Sequence, residues 1–293
     1  MARNKILLGD HVVDETSFPY IIAEIGINHN GDLQIAKKLI DAANACGWDC
    51  VKFQKREPEI AVPDAQKNVM RDTPWGRISY LEYKKKVEFG KAEYDYINNY
   101  CKEKPIAWTA SPWDVPSMEF LLNYDLPFIK IASASNANRE VMKLACESRK
   151  PLLVSTGMST LEEIDRTVEF LEKYSGGNYI LLHTNSAYPT PASELNLRMI
   201  TTLKERYHCI VGYSGHEYDL EPTVVAVSLG AKVIERHVTL DHDMWGTDQA
   251  ASLTVGAMAL MHGRVKDILL MLGDGKKAIT EKEMDVRRKL RGK

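Results

Sequence analysis

Residues 209–216 read C-I-V-G-Y-S-G-H, residues 220–229 form a helical run, and residues 231–239 read A-K-V-I-E-R-H-V-T. The apolar cores of the two flanking segments, 209–212 and 231–234, are each about as long as a strand buried on both faces of a parallel sheet. Each runs into a polar cluster containing a histidine, His216 in the first and His237 in the second. Imidazoles delivered to one rim by consecutive strands can share a metal, whereas a lone loop histidine is ordinarily a surface polar group. Their company favours the shared rim, because Tyr213, Ser214, Glu235, Arg236 and Asp248 fall in the same two turns.

Working outward, this strand, helix, strand unit is the end of a series. Apolar runs of strand length occur at 20–25, 50–53, 106–109, 128–131, 152–154, 179–182, 209–212 and 232–234. Amphipathic segments such as 33–46 and 161–174 lie between them, and a last one covers 255–272. Eight alternations of strand and helix predict the α/β class and a closed (β/α)8 TIM barrel. An open doubly wound sheet ordinarily carries a Gly-rich phosphate turn after its first strand, where this chain has G-I-N-H-N-G. Residues 1–293 are expected to form a single barrel domain, with an N-terminal β-hairpin within 1–19 and a long excursion at 55–90 after the second strand. That excursion contains Pro58, Pro63 and Pro74 and exceeds an ordinary connection. Its Trp75, Tyr80 and Tyr83 predict a folded unit, either a lid or padding for the rim.

Length alone is compatible with one barrel. A formal charge of −2 without long single-sign blocks gives no electrostatic case for nucleic acid or an anionic membrane as partner, which points to small-molecule substrates. The 5 cysteines are odd in number and lack a C-x-x-C pair, as expected of reduced thiols in a cytoplasmic protein. No segment reads as a signal peptide or a membrane span.

In such a barrel the chemistry collects at the carboxyl ends of the strands. Those ends bring Glu24, Lys52 with Gln54, Thr109, Lys130 with Ser133, Ser155, Asn185 with Tyr188, then Ser214 with His216, and Glu235 with His237. Lys52 and Lys130 carry the most information, since a lysine inside an apolar strand is costly to bury unless it meets an anion. With Thr109, Ser133, Ser155 and Ser214 as hydroxyl donors, they would hold a phosphate and a carboxylate together. Each residue taken singly has a plainer role, such as a snorkelling lysine or a helix-capping hydroxyl. Independent accidents do not gather all of them on one rim. His29 is left between a helix-start contact and a substrate contact.

The ordered set A-E-I-G-I-N-H-N-G, V-K-F-Q, I-K-I-A-S, S-T-G-M, Y-P-T-P, G-Y-S-G-H and V-I-E-R-H resembles the sialic acid synthases, over nearly the whole chain from residue 20. The resemblance implies a TIM barrel that condenses phosphoenolpyruvate with an N-acetylmannosamine-type sugar, using a divalent metal, usually manganese (Mn2+). It implies His216 and His237 as metal ligands, with Glu235 near the reacting centre. Lys52, Thr109, Lys130, Ser133, Ser155, Asn185 and Ser214 would hold phosphoenolpyruvate, and Glu24, Gln54, Tyr188 and Asp248 would meet the sugar. A homodimer is also implied. The chain departs from the family at Ala134 and Ser135, where Gly followed by Glu or Asp is common, and it ends where a small antifreeze-like domain often follows. Both departures bear on the acceptor, leaving a mannose 6-phosphate, an N-acetylmannosamine 6-phosphate or a diacetamido sugar as alternatives. A non-catalytic barrel with a binding or scaffold role is the reading from another class.

Overall fold

The computed structural model describes residues 3–292, so the extreme ends of the expected 1–293 domain lie outside the described residues. In chain order the strands are β1 (Lys5–Leu8), β2 (His11–Asp14), β3 (Tyr20–Gly26), β4 (Cys50–Lys55), β5 (Met70–Thr73), β6 (Gly76–Ser79), β7 (Ala107–Pro112), β8 (Ile129–Ile131), β9 (Leu152–Ser155), β10 (Tyr179–Thr184), β11 (Val211–Gly215) and β12 (Val233–His237). Eight of them form one parallel sheet in the order β7-β4-β3-β12-β11-β10-β9-β8. The seam between β7 and β8 is bridged by the Thr109 hydroxyl, which donates to the Phe128 carbonyl at 2.9 Å. Helices such as Leu33–Ala45, Leu161–Ser175 and Val255–Leu272 follow the strands, and no described helix is long and apolar enough to cross a membrane.

The alternation of side chains along each strand sorts the sequence into two environments. Ile21, Ala23 and Ile25 of β3, with Val51 and Phe53 of β4, face outward into the layer packed by the helices. Tyr20, Ile22, Cys50, Phe128, Leu153, Ile180, Leu182, Ile210 and Val233 face inward and fill the lower barrel, where Ile6, Leu8 and Val13 of the β1–β2 hairpin plug its base. Fully burying one such aliphatic side chain contributes about 1.5–3 kcal/mol, so the lower barrel is a packed core and not a channel. Gly212 lies in this inner wall because a Cβ there would come within 2.5 Å of Leu182 and of the Val233 carbonyl. The same inward register, continued up each strand, reaches charged residues.

The eight expected strands are all present, but most continue past their apolar cores. β12 includes His237 and β11 includes Ser214 and Gly215, so His237 ends its strand and does not follow it. The excursion is folded, with short helices at Pro58–Ala61 and Asp64–Lys67, the β5–β6 hairpin, and a helix at Tyr80–Val87 that opens with a Ser79/Glu82 capping box. Tyr83 and Val87 of that helix pack with Ile27 and Trp245, fixing the excursion to the rim. Cys50, Cys101, Cys146 and Cys209 are buried, Cys46 is half-buried, and all are free thiols.

Candidate active site

At the carboxyl ends of the strands lies a cavity of about 190 Å³ whose floor and walls include Glu24, Lys52, Lys130, Ser155, Ser214, His216, Glu235 and His237. Register puts them there: Glu24 pairs with Lys52 on one side and with His237 on the other, and Ser214 pairs with Glu235. Gly26 ends β3 at a register shift with φ of +56°, a conformation that glycine adopts without strain. A Cβ at that position would lie 3.2 Å from both Gln54 and Glu24.

The floor is an alternating set of charges. Lys52 Nζ lies 2.7 Å from Glu24 and 3.7 Å from Glu235, and it donates to Ser111 Oγ at 3.1 Å. Lys130 Nζ donates to Ser155 Oγ at 2.8 Å and also lies 3.7 Å from Glu235. Both lysines are 2% exposed. The two respond differently to burial. Burial pulls the Lys52 ammonium down, but Glu235 and Glu24 outweigh it and its pKa lies above the ordinary lysine value. For Lys130 burial wins over Glu235, with Lys52 adding repulsion, and its pKa falls to about 8. Burial alone would raise the Glu235 carboxyl, yet Lys130 and then Lys52 hold it down at about 2. Glu235 is therefore ionised, accepts from Ser214 Oγ at 3.0 Å, and keeps a buried Oε2 with no hydrogen-bond partner.

Across the cavity the imidazoles of His216 and His237 stand with ring centroids 5.4 Å apart. His216 Nδ1 lies 2.5 Å from the Asn185 carbonyl, which can only accept, so the proton is on Nδ1 and Nε2 presents a lone pair. Tyr188 Oη donates to that Nε2 at 2.9 Å. Burial, with the charge of His237 adding to it, lowers the His216 pKa to about 3, which keeps the ring neutral. His237 Nδ1 is buried without a hydrogen-bond partner, 3.9 Å from Asp248. Two imidazoles, one fixed in its tautomer by a backbone carbonyl and the other with an orphaned nitrogen, fit a divalent metal. Among the described residues no group of three or more His, Cys, Asp or Glu side chains is arranged to hold one, so further ligands would come from substrate or water. Behind the histidines Arg236, fully buried, pairs with Glu217 at 2.9 Å and donates to Thr223 Oγ1 at 2.8 Å, tying the loop after His216 to the strand of His237.

Most of the residues expected from sequence meet in this cavity, including Gln54, Ser133 and Tyr188. Three do not line it. Thr109 lies one inward step too low, because β7 runs on to Pro112 and carries Ser111 to the level of Lys52 instead. Asn185 lines a neighbouring hollow, and only its backbone carbonyl serves the site, through His216. Asp248 stands at the mouth beside His237. Ser111, Trp113, Thr184 and Ser186 complete the wall and were not singled out from sequence. Ala134 lines the cavity with a methyl group, whereas Ser135 turns away to donate to the Pro112 carbonyl. His29 makes the helix-start contact: its Nδ1 accepts from the Gly31 N–H at 3.1 Å, and its ring stacks on Phe89 at 3.9 Å. His262 is half-buried with Nδ1 against the Cys46 carbonyl.

With this geometry in place, comparison with known proteins is decisive, since residues 39–277 match the NeuB family. The chain belongs to the NeuB family. It is 39% identical over 256 residues to the N-acetylneuraminate-9-phosphate synthase of Drosophila melanogaster, covering 86% of this chain and 68% of that one. Against the N,N'-diacetyllegionaminic acid synthase of Campylobacter jejuni the identity is 35% over 267 residues, covering 90% and 80% of the two chains. The fold superimposes on an N-acetylneuraminic acid (sialic acid) synthetase from Leptospira borgpetersenii with a TM-score of 0.86 at 31% identity, covering 100% of this chain and 99% of the other. This NeuB-family barrel is thus similar to synthases named for several different acidic sugars.

Proposed function

We propose that this chain is a nonulosonic acid synthase, a carbon-carbon bond-forming transferase that condenses phosphoenolpyruvate with the open-chain aldehyde of an N-acetylmannosamine-type sugar. The observation that carries this reading is the floor itself: two buried ammonium groups flank one ionised carboxylate and face two imidazoles across a small cavity. Each ammonium has three donors. On Lys52 the near contacts are Glu24 and Ser111, and on Lys130 they are Ser155 and a 3.4 Å approach to the Ile131 carbonyl. The donor left on each lysine, with the Ser133 and Ser155 hydroxyls, suits the phosphate and carboxylate of phosphoenolpyruvate. Glu24, Gln54 and Tyr188 stand where the sugar hydroxyls would come, with Asp248 at the mouth.

Holding both substrates in one cavity converts a bimolecular reaction into an oriented one, which is the largest contribution the fold can make. C3 of phosphoenolpyruvate attacks the aldehyde carbon, a new carbon-carbon bond forms, and the aldehyde oxygen becomes a hydroxyl. Water then adds at C2, one of its protons passing to the former aldehyde oxygen, and the C2–oxygen bond to phosphate breaks as the second proton leaves with the phosphate, giving a 2-keto acid and inorganic phosphate. Glu235, a carboxylate in the resting site, is set to accept a hydrogen bond from this water and aim its oxygen at C2. A divalent metal on His216 and His237, manganese by the family resemblance, would supply Lewis-acid polarisation of the aldehyde carbonyl.

The test is phosphate release from phosphoenolpyruvate with a panel of mannosamine-type sugars and added manganese, with the product read by mass spectrometry. Turnover with at least one acceptor, giving a product heavier than it by the pyruvate unit, is expected. Folded, metal-loaded protein that turns over none of them refutes the reading and leaves the non-catalytic barrel.

A further inference from the structure

Outward-facing strand positions meet the helices with apolar side chains such as Ile21, Val51 and Ile234. Arg236 shares the outward register of Ile234, two residues along β12, and it is fully buried. Its guanidinium meets four acceptors. Nη1 lies 2.9 Å from Glu217 Oε1 and donates to Thr223 Oγ1 at 2.8 Å and to the Asp219 carbonyl at 3.1 Å, while Nη2 donates to the Glu217 carbonyl. Three of the four belong to residues 217–219, the stretch that follows His216. The other carboxylate oxygen of Glu217 accepts from Tyr213 Oη at 2.7 Å. To reach both partners the Glu217 side chain folds back over Gly215. A Cβ there would stand 2.6 Å from Glu217 Oε2 and 2.7 Å from the Tyr213 ring, so residue 215 is glycine because the carboxylate occupies its side-chain space.

This cluster has a particular place relative to the histidines. The ladder between β11 and β12 ends at the pair Gly215 and Arg236, one residue short of His216 and of His237. The guanidinium carries the connection onward, joining the residue that follows one histidine to the residue that precedes the other. On its far side His216 is held by the Asn185 carbonyl at Nδ1 and by the Thr190 N–H, which donates to its backbone carbonyl at 3.0 Å. For stability alone a buried ion pair is a poor choice, because apolar groups of similar volume often serve as well or better. What they lack is direction, which a planar guanidinium supplies by holding its acceptors in one fixed fork. Resting on the metal site of the synthase reading above, we propose that Arg236 and Glu217 are positioning residues for the metal. They touch neither metal nor substrate, and they fix the spacing of His216 and His237 so that both imidazoles address one divalent ion. Removing the groups that orient metal-ligating histidines typically costs about 10–100-fold in metal affinity.

The experiment titrates manganese alone into the metal-free protein and reads free Mn2+ by its electron paramagnetic resonance signal, beside the melting temperature and the KM for phosphoenolpyruvate. Arg236→Met/Glu217→Met removes the pair without leaving either charge alone, and Gly215→Ala displaces the carboxylate while keeping both charges. Each should raise the Kd for manganese about 10-fold or more with the far-ultraviolet spectrum of the parent. Saturating manganese should restore most of the lost turnover, and the KM for phosphoenolpyruvate should stay as it was. Thr223→Val takes away the acceptor on the helix Glu221–Ser228 and leaves residues 217–219 anchored, so it should lower Tm and leave the Kd for manganese unchanged. An unchanged Kd in Gly215→Ala or in the folded double variant overturns the positioning role. So does a loss of affinity in Thr223→Val as large as in the other two, since affinity would then follow stability and not position. His237→Ala separates this from the underlying reading. Parental manganese affinity in that variant removes the metal site and the positioning role with it, whereas affinity lost there but kept in the pair variants overturns the positioning role alone.

Discussion

Lys52 and Lys130 are the same residue type, equally buried and both 3.7 Å from the same glutamate, yet their removal should have very unequal effects on stability. Lys130 has a folded pKa of about 8 against 10.5 for the free side chain, so its charged form is disfavoured by folding. The sign follows directly: below about pH 8 the folded state holds an ammonium that the unfolded state hydrates more favourably. As pH rises from about 8 toward 10.5 the unfolded chain binds more protons, and stability rises. A shift of this size corresponds to at most about 3 kcal/mol of cost at pH 7. Lys130→Met removes that cost but leaves Glu235 with one cation neighbour fewer, so the two changes offset and the net effect at pH 7 should stay within about 1 kcal/mol of zero. Lys52 has its pKa raised by Glu235 and Glu24 in spite of burial, so its charge is stabilising at neutral pH. Lys52→Met leaves Glu24, 1% exposed, without the ammonium 2.7 Å away, and should cost about 3–5 kcal/mol. That corresponds to roughly 6 °C or more in Tm. Both variants should bind phosphoenolpyruvate poorly, with KM raised about 100-fold for the loss of a buried charged hydrogen bond. Urea melts at pH 7 and pH 9, beside steady-state kinetics, separate these effects. If Lys130→Met loses as much stability as Lys52→Met, the charge assignment of the floor is wrong.

Three further outcomes are expected. His237→Ala should lower kcat by about 100-fold or more with the far-ultraviolet spectrum unchanged, the size of a lost electrostatic stabiliser, and activity equal to the parent would remove His237 from the mechanism. Thr109→Val deletes the hydroxyl across the β7–β8 seam, so it should lower stability by about 1 kcal/mol while KM for phosphoenolpyruvate stays put; a 10-fold rise in that KM would return Thr109 to the substrate. His29 is held neutral in the fold, with a pKa near 3 that burial lowers most and Arg56 lowers further, whereas the unfolded chain protonates near 6.5. Its contribution to stability is therefore present above pH 6.5 and is lost as pH falls, by about 1.4 kcal/mol at pH 5.5, and His29→Gln should flatten that slope when melts are compared between pH 7.5 and 5.

The fold was legible because each strand has an apolar core of the right length and each helix an amphipathic one. What the apolar cores could not show was where pairing stops, because polar inward residues prolong the strands without leaving a hydrophobic trace. Ser111 illustrates this: the run at 106–109 ends at a hydroxyl, but the ladder with β4 continues through Gln54↔Ser111 and Lys55↔Pro112, and the working hydroxyl is two residues on. The pairing of Glu24 with Lys52 depends on the stagger between neighbouring strands, a property of the closed sheet that no single segment encodes. Arg56 was hidden for a different reason. A lysine inside a strand reads as anomalous, whereas an arginine at the start of a polar excursion reads as ordinary until the fold buries it over Trp113 with its guanidinium donating to Gln54.

Charge accounting at the floor connects the histidines to the lysines. Lys52 and Lys130 are balanced by Glu24 and Glu235, so the set is neutral before any substrate arrives. Phosphoenolpyruvate brings a phosphate and a carboxylate, and placing them in a water-poor cavity requires compensating positive charge. Glu235 cannot provide it by taking a proton, because its neighbours hold its pKa at about 2. His216 cannot provide it by becoming an imidazolium, because burial holds its pKa at about 3 and its Nδ1 proton is already directed to a carbonyl. What His216 can offer is the lone pair on Nε2, now engaged by the Tyr188 hydroxyl, and His237 offers its unpartnered Nδ1. The site is thus arranged to import positive charge and not to generate it, which is the physical reason that two histidines and two lysines belong to one cavity.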